Sequence, residues 1–341
     1  MNQGLPSATP PAAHSDAAAR AWRARVPAYL APPWLRGGHA QTIVPALTGW
    51  APHAYRREVW DSPDGDHIAL DWSDGPPDAP LLVLFHGLEG DSRSRYALAL
   101  AEAARALGWA FVLPHFRGCG GLVNRAPRFY HSGDSDEIDW IVRRLARDRD
   151  RPLYLAGVSL GGNALAKWLG ERGSEAARLA TAAAVVSAPL DLAAGGAALG
   201  RGFNMVYTRM FLKTLKAKSL AKLNQFPGLV DPAAVRAARD LYDFDNVVTA
   251  PLHGFRDTDD YWRRASARPW LAGIALPTLV LNARNDPFLP ATALPGTAAA
   301  AQSVTLEFPA AGGHVGFHAA AAAGGRHWLP RRVMSWFLDG Y

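Results

Sequence analysis

The 341-residue chain has one cysteine, Cys119, and no long apolar run. A single cysteine excludes an intramolecular disulfide and a metal site built from several thiolates. No stretch approaches the roughly 18 apolar residues of a membrane-spanning helix. The first twenty residues lack the basic start and apolar stretch of a secretory signal. We therefore expect a cytoplasmic protein in which residues 1–20 form a disordered tail.

Lysine is also scarce, although the chain is basic. The formal net charge is +6, and only five of the 36 basic residues are lysines. The arginines are spread along an alanine-rich chain instead of forming a stripe, so we expect no binding of DNA or RNA. Neither the zinc-binding spacing H-E-x-x-H nor the phosphate loop G-x-x-x-x-G-K-[ST] occurs, and we expect no metal and no cofactor.

Short apolar segments recur along the chain, with helical segments between most of them. Residues 55–72 predict two strands joined by a turn at 63–65. The helical spacing at 94–109 and 134–149 alternates with continuous apolar runs, which predicts an α/β fold with a mostly parallel central sheet covered by helices on both faces. The apolar runs lie at 81–85, 110–114, 153–157, 182–188, 278–283 and 304–308.

This alternation breaks between about 191 and 270, a stretch too long for a simple loop. Its apolar spacing and helix-forming residues predict a mainly helical cap inserted into the sheet domain. The chain then divides into the tail, an N-terminal segment at 21–54, and a sheet domain at 55–341 that carries the cap.

Ser159 lies in a G-x-S-x-G pattern at 157–161, between a predicted strand and a predicted helix at 161–173. Glycines on both sides allow a tight strand-to-helix turn that exposes the hydroxyl. The start of the helix places free N–H groups beneath a developing negative charge. We interpret Ser159 as a nucleophile, and an ordinary turn residue is the alternative.

A serine nucleophile needs a base and a carboxylate that orients the base, and in this arrangement the acid precedes the histidine. Asp286 follows the predicted strand at 278–283, and Pro287 keeps its backbone extended. His314 follows two glycines in the loop after the last strand. A capping aspartate and a packed loop histidine are the alternatives. Weaker candidates are Asp257, Asp259 and Asp260 in the cap and His318 beyond His314.

A tetrahedral intermediate also needs two N–H donors. The residue after the nucleophile, Leu160, supplies the first. We assign the second to the amide of Leu88, in the glycine-rich stretch at 85–92 that follows the first buried strand. His86, in the same stretch, is interpreted as a structural hydrogen-bonding residue.

Four of the five lysines fall within residues 210–226, interleaved with apolar side chains. A basic amphipathic segment of this kind in the cap could make weak contact with an anionic membrane surface and admit acyl chains. A solvated helix face is the simpler interpretation. The four are Lys213, Lys216, Lys218 and Lys222.

Several motifs, taken in order, resemble the YheT-like hydrolases of the AB hydrolase superfamily, also called the AB hydrolase 4 family. They are "HGLEG", "PHFRGCGG", "GVSLGGN", "TAPLHGFRDTDDYW", "NARNDPF" and "GGHVGF", and "PPWLRGGHAQTIVPAL" at 32–47 is similar to that family's leading segment. The resemblance implies an α/β-hydrolase fold, a carboxylesterase or acylglycerol-lipase activity, and a triad of Ser159, Asp286 and His314. Related members include acyltransferases and phospholipases.

We therefore expect a serine hydrolase that cleaves carboxylic esters, either short- to medium-chain esters or acylglycerols, through an acyl-enzyme. Two alternatives stay open. Acyl transfer to an alcohol uses the same acyl-enzyme, and a catalytically inactive protein of this fold could bind a ligand. Dehalogenase and epoxide-hydrolase chemistry is disfavoured, because those relatives have an aspartate where Ser159 stands. The sequence leaves the oligomeric state open.

Overall fold

The computed structural model describes residues 26–147 and 151–338, so the predicted tail at 1–20 lies outside the described residues. The fold is built on one eight-stranded sheet of order β1-β2-β4-β3-β5-β6-β7-β8. Its strands are β1 (Arg56–Asp61), β2 (His67–Ser73), β3 (Leu81–Phe85), β4 (Ala110–Pro114), β5 (Leu153–Val158), β6 (Ala182–Val186), β7 (Thr278–Leu281) and β8 (Val304–Glu307).

The first two strands form the predicted hairpin, which pairs antiparallel. β2 also pairs antiparallel with β4, and all remaining neighbours are parallel. Parallel neighbours place their carboxyl ends at the same edge, where ligands bind in open α/β sheets. The predicted α/β fold with a mostly parallel sheet is confirmed.

Helices cover both faces of the sheet. They are α1 (Gly38–Leu47), α2 (Arg95–Ala106), α3 (Ser135–Ala146), α4 (Leu160–Arg172), α5 (Ser174–Leu179), α6 (Leu192–Leu199), α7 (Met205–Lys222), α8 (Pro232–Ala237), α9 (Leu241–Phe244), α10 (Ala250–Leu252), α11 (Thr258–Ala265) and α12 (Trp328–Leu338). Within residues 26–147 and 151–338, none of them has the length and apolar character that a membrane crossing requires.

The two faces of β3 show why its sequence is apolar without alternation. Leu81, Val83 and Phe85 pack with the side chains of α3 and α4. Leu82 and Leu84 pack on the opposite face with α2 and α12. All five side chains are buried, because a helix layer covers each face.

The segment between β6 and β7, in which the sequence predicts a helical cap, contains helices α6 to α11. Four of these helices begin at an aspartate whose carboxylate accepts a backbone N–H of the first turn. Such caps satisfy N–H groups that have no acceptor inside the helix. The four residues are Asp191, Asp231, Asp240 and Asp257. The domain boundaries at 20, 54, 191 and 270 stay predictions.

Candidate active site

Ser159 lies in a sharp turn between β5 and α4, at the carboxyl edge of the sheet. Its φ of 54° is in the left-handed region, which a residue with a Cβ adopts only under strain. A Cβ on Gly161 would lie 2.4 Å from the carbonyl oxygen of Phe85, and one on Gly157 would lie 2.6 Å from the carbonyl oxygen of Gly161. Only glycine fits at either position, which explains the spacing of the motif.

The structure brings Ser159, His314 and Asp286 into one hydrogen-bonded chain. His314 Nε2 lies 3.0 Å from Ser159 Oγ, and His314 Nδ1 lies 2.9 Å from Asp286 Oδ2. With the ring neutral, Nδ1–H donates to the carboxylate and Nε2 accepts from the hydroxyl. The geometry is that of a base beside a nucleophile, with a carboxylate that orients the base.

Local contacts hold the acid and the imidazole ring in place. The Asp286 side chain is buried, and its Oδ1 accepts the backbone N–H of Phe288 at 2.8 Å. The Phe288 ring stacks on the His314 ring with centroids 4.0 Å apart. Asp286 therefore points one oxygen at its own loop and the other at His314.

A buried glutamine from the N-terminal segment supports the loop that carries His314. Gln41, in α1, is 2% exposed. Its Oε1 accepts the N–H of Gly312 at 2.8 Å and the amide Nδ2 of Asn285 at 2.8 Å. Its Nε2 donates to the carbonyl oxygen of Leu35 at 2.8 Å. Gln41 thus joins the loop that carries Asn285 and Asp286 to residues 310–317, which we call the histidine loop.

The next three amides of the histidine loop also donate to side-chain oxygens. The pairs are Gly313 with Asn285 Oδ1 at 3.0 Å, His314 with Thr42 Oγ1 at 2.9 Å, and Val315 with Ser187 Oγ at 3.1 Å. None of these partners lies in a motif that predicts a role for it. For Gln41 and Thr42 the available signal is a pair of polar residues within the segment at 32–47 that resembles the family.

Residues 86–90, which we call the glycine loop, approach Ser159 from β3. A Cβ on Gly87 would lie 3.2 Å from the Cβ of Ser159, so the two backbones are adjacent. Among the described residues, neither the N–H of Leu88 nor that of Leu160 has a protein acceptor. The oxyanion-binding role of these two amides stays a prediction.

The residue after Leu88 is held from two directions. Glu89 has a φ of 56°, and its backbone N–H donates to the Tyr130 hydroxyl at 2.8 Å. Burial raises the pKa of Tyr130 well above its ordinary value, so that this hydroxyl stays protonated and donates to Glu89 Oε1 at 3.0 Å. Lys218, in cap helix α7, donates to the same oxygen at 2.8 Å.

His86 begins the glycine loop and is fully buried. Burial lowers its pKa to about 3, so the ring is neutral at ordinary pH. Its Nε2 accepts the N–H of Phe116 at 3.0 Å, and its Nδ1 lies 2.7 Å from the carbonyl oxygen of Gly87. His86 contacts backbone on both sides and fixes the start of the loop.

Two cavities meet at Ser159 and His314. The first, with about 1120 Å³ of empty space including its opening, lies beneath the cap and is lined mainly by apolar side chains. The second is more open and lies between α1, the glycine loop and α7. A bound ester could place one part of its structure in each cavity, with the carbonyl carbon beside Ser159.

Three of the four cap lysines hydrogen-bond to other segments of the protein, so the four do not form one solvated helix face, and the weak membrane contact stays a prediction. Lys216 donates to the carbonyl oxygens of Arg236 and Ala238, at the end of α8. Lys218 reaches Glu89, and Lys222 is 1% exposed. Only Lys213 lies on the exposed face of α7.

The weaker candidates take structural positions. Asp257 caps α11, and Asp260 pairs with Arg263 and Arg264 on the same helix. Tyr242 donates to the carboxylate of Asp259 at 3.1 Å. In a separate part of the site, the ring of His318 packs edge-on against Trp34 at 5.9 Å. None of these residues belongs to the hydrogen-bonded set of Ser159, His314 and Asp286.

Comparison with known proteins places the chain in a family. Residues 80–321 match the model of the alpha/beta hydrolase fold. The chain is 40% identical over 308 residues to the Escherichia coli (strain K12) protein named "Putative esterase YheT", covering 87% of this chain and 89% of the relative. It is 32% identical to phospholipase ABHD3 of Mus musculus, covering 83% of this chain and 72% of the relative.

A solved structure shows the same fold at low sequence identity. The esterase Pf2001 of Pyrococcus furiosus superposes with a TM-score of 0.55 at 15% identity, covering 91% of this chain and 98% of that chain. The family match spans most of the chain, and the resemblance to YheT is confirmed. The chain therefore belongs to the alpha/beta hydrolase family, in its YheT-like group.

Proposed function

We propose that the chain hydrolyses carboxylic esters through an acyl-enzyme on Ser159. The observation that carries the proposal is the hydrogen-bonded chain from Ser159 Oγ through His314 to Asp286, with contacts of 3.0 and 2.9 Å. The names of the relatives support ester hydrolysis in general. The roles of individual residues and the substrate belong to the proposal.

In the first step, Ser159 Oγ attacks the acyl carbon while His314 Nε2 takes its proton. The Asp286 carboxylate stabilises the imidazolium that forms and keeps the ring oriented. The amides of Leu88 and Leu160 donate to the oxyanion of the tetrahedral intermediate. His314 then gives its proton to the leaving alcohol.

In the second step, water attacks the acyl-enzyme while His314 takes a proton from it. The same two amides hold the second oxyanion, and collapse of this intermediate releases the acid and regenerates Ser159. Every proton moves between His314 Nε2 and an oxygen, so the cycle uses no cofactor.

The cavity beneath the cap supports esters with an apolar acyl part. Phe129, Leu215, Val248 and Phe288 line its wall, and apolar side chains there favour a hydrocarbon chain over water. We propose short- to medium-chain esters or acylglycerols as the substrate class. The cytoplasmic location expected from the sequence stays a prediction.

The test is hydrolysis of p-nitrophenyl esters from acetate to palmitate by the purified protein and by Ser159→Ala. We expect turnover that depends on Ser159, with a chain-length optimum set by the cavity. Activity retained in Ser159→Ala would overturn the assignment. If no ester turns over and a fluorophosphonate fails to label Ser159, a ligand-binding role replaces hydrolysis. Ester product formed from added alcohol would instead identify acyl transfer.

A further inference from the structure

Large apolar side chains are exposed in one part of the surface more than elsewhere. Six of the ten exposed large hydrophobic side chains among the described residues come from two segments, at 30–47 and 203–210. Met210 and Trp34 are each 66% exposed, and Leu47 is 76% exposed. The six are Leu30, Trp34, Leu47, Phe203, Val206 and Met210.

The two segments form one continuous surface. The ring of His39, in α1, packs against the ring of Phe203 at 4.6 Å. His39 Nδ1 also lies 3.1 Å from the Tyr207 hydroxyl, in α7. Phe203, Val206 and Met210 follow one another at three- and four-residue spacing, so that they share a side. We call this surface the entrance face.

The entrance face borders the second cavity, which reaches Ser159 and His314. Met210 lines that cavity directly. Trp34 packs against His318, which also lines it. Leu47 lies in sequence between two further lining residues, Ala46 and Thr48. A molecule that enters this cavity therefore passes the exposed apolar side chains.

Charge on the entrance face has one sign. No aspartate or glutamate occurs in residues 26–57 or 192–230, which contain both segments. The exposed basic side chains of these segments include Arg36, Arg209 and Lys213. An apolar surface whose own two segments carry only basic charges is complementary to an anionic lipid surface, where apolar groups enter the acyl boundary and basic groups meet phosphates.

We propose that the entrance face docks on the surface of an anionic lipid bilayer, so that ester lipids enter the second cavity directly from the bilayer. The docking itself rests on surface chemistry alone, and only the delivery of substrate rests on the proposed ester hydrolysis. A second copy of the chain is a poorer occupant. A symmetric dimer through this face would bury the basic side chains of both copies, Arg36, Arg209 and Lys213, in one interface to which the two segments bring no acidic partner.

Sedimentation with vesicles tests the docking without any catalytic step. Ser159→Ala protein is mixed with vesicles of phosphatidylcholine alone or with phosphatidylglycerol at one third, and the bound fraction is measured. We expect binding to the mixed vesicles and at least about tenfold weaker binding to the neutral ones, since each basic group near an anionic surface contributes about fivefold. Equal binding to both, or to neither, would overturn the proposal.

Matched variants locate the surface. Phe203→Ser with Met210→Ser should weaken vesicle binding at least about tenfold, whereas Val123→Ser, at a site 65% exposed elsewhere, should not. Arg209→Gln and Lys213→Gln should each lower binding about fivefold, and Arg178→Gln, an exposed arginine of α5, should leave it unchanged. Equal losses in the control variants would contradict the assignment of the face.

Two further measurements separate the alternatives. A concentration-dependent dimer in solution that Met210→Ser dissolves would identify a second copy as the occupant and overturn lipid docking. Hydrolysis of soluble p-nitrophenyl butyrate by the wild type checks the proposed function independently. Loss of vesicle binding with unchanged butyrate hydrolysis in a Phe203→Ser, Val206→Ser variant, whose two residues line neither cavity, is the combination that supports docking as a separate property.

Discussion

The histidine loop and the glycine loop both meet Ser159, but different kinds of contact hold them. In the histidine loop, four successive backbone amides donate to neutral side chains, including those of Gln41 and Thr42 in α1. In the glycine loop, Glu89 is held partly by a charged side chain from the cap, Lys218. His314, the proposed base, is thus held by contacts from α1 and the sheet domain, whereas the position of Leu88, the proposed oxyanion donor, depends in part on a contact from the cap.

The largest effect is expected where the histidine loop is most buried. Gln41→Leu keeps the shape of the side chain but removes three hydrogen bonds, and an unsatisfied buried polar group costs about 1–3 kcal/mol. We expect the free energy of unfolding in urea to fall by about 4 kcal/mol. Displacement of His314 should lower kcat by about 100-fold.

Thr42→Ser provides the control for this prediction. It keeps an oxygen that can accept the N–H of His314, so both stability and kcat should stay close to wild type. If Gln41→Leu folds with normal stability and kcat, the contacts from α1 do not position His314. The two loops would then not differ in the way proposed, with one held by α1 and the other by the cap.

A smaller effect is expected from the cap contact. Lys218→Met leaves the Glu89 carboxylate without its cation, but the Lys218 side chain is 33% exposed, so water compensates in part. Looser placement of the Leu88 amide should lower kcat for p-nitrophenyl butyrate about tenfold, since a lost oxyanion donor costs about 100-fold or more. KM should change little, because the lining of the cavity is nearly intact.

Two further variants distinguish positioning from general damage. Lys218→Arg can still pair with Glu89 and should recover most of kcat. Lys213→Met removes an exposed lysine from the same helix and should have no effect. A Lys218→Met protein with unchanged kcat would show that the glycine loop holds its shape without the cap.

The fold and the three residues Ser159, Asp286 and His314 could be predicted from the sequence, because each depends on local patterns. Unbroken apolar runs predicted the buried strands, and a strand, two glycines and a helix predicted the turn at Ser159. Apolar runs predicted the ends of the strands less accurately. The run at 182–188 continues past β6, which stops at Val186 because Ser187 takes a φ of 49°.

The side-chain contacts that hold both loops could not be predicted from the sequence, because they join residues far apart in the chain. Gln41 and Gly312 are 271 positions apart, and Glu89 and Lys218 are 129 apart. Spacing within a helix cannot predict such pairs. The lysine cluster shows the same limit, because charge patterning predicts a solvated helix face, whereas three of the four side chains hydrogen-bond to residues of other segments.

The smallest expected effect is a difference in pH dependence between the loops. His86, in the glycine loop, has its pKa lowered by burial to about 3 from 6.5, whereas the side chains that hold the histidine loop amides do not titrate. Between these values the unfolded chain binds a proton that the folded one does not. The free energy of unfolding should therefore fall by up to about 1.4 kcal/mol per pH unit below 6.5 from His86 alone.

Urea unfolding of wild type and His86→Gln at pH 7, 6 and 5 measures this contribution. Glutamine can still accept from Phe116 N–H and donate to Gly87, so His86→Gln should fold at pH 7 but lose stability less steeply on acidification. His131 and His253, whose pKa values burial lowers to about 3 and about 2, keep part of the slope in both proteins. Identical slopes would mean that His86 is not the neutral anchor of the glycine loop, and the two loops would then differ only in their tie to the cap.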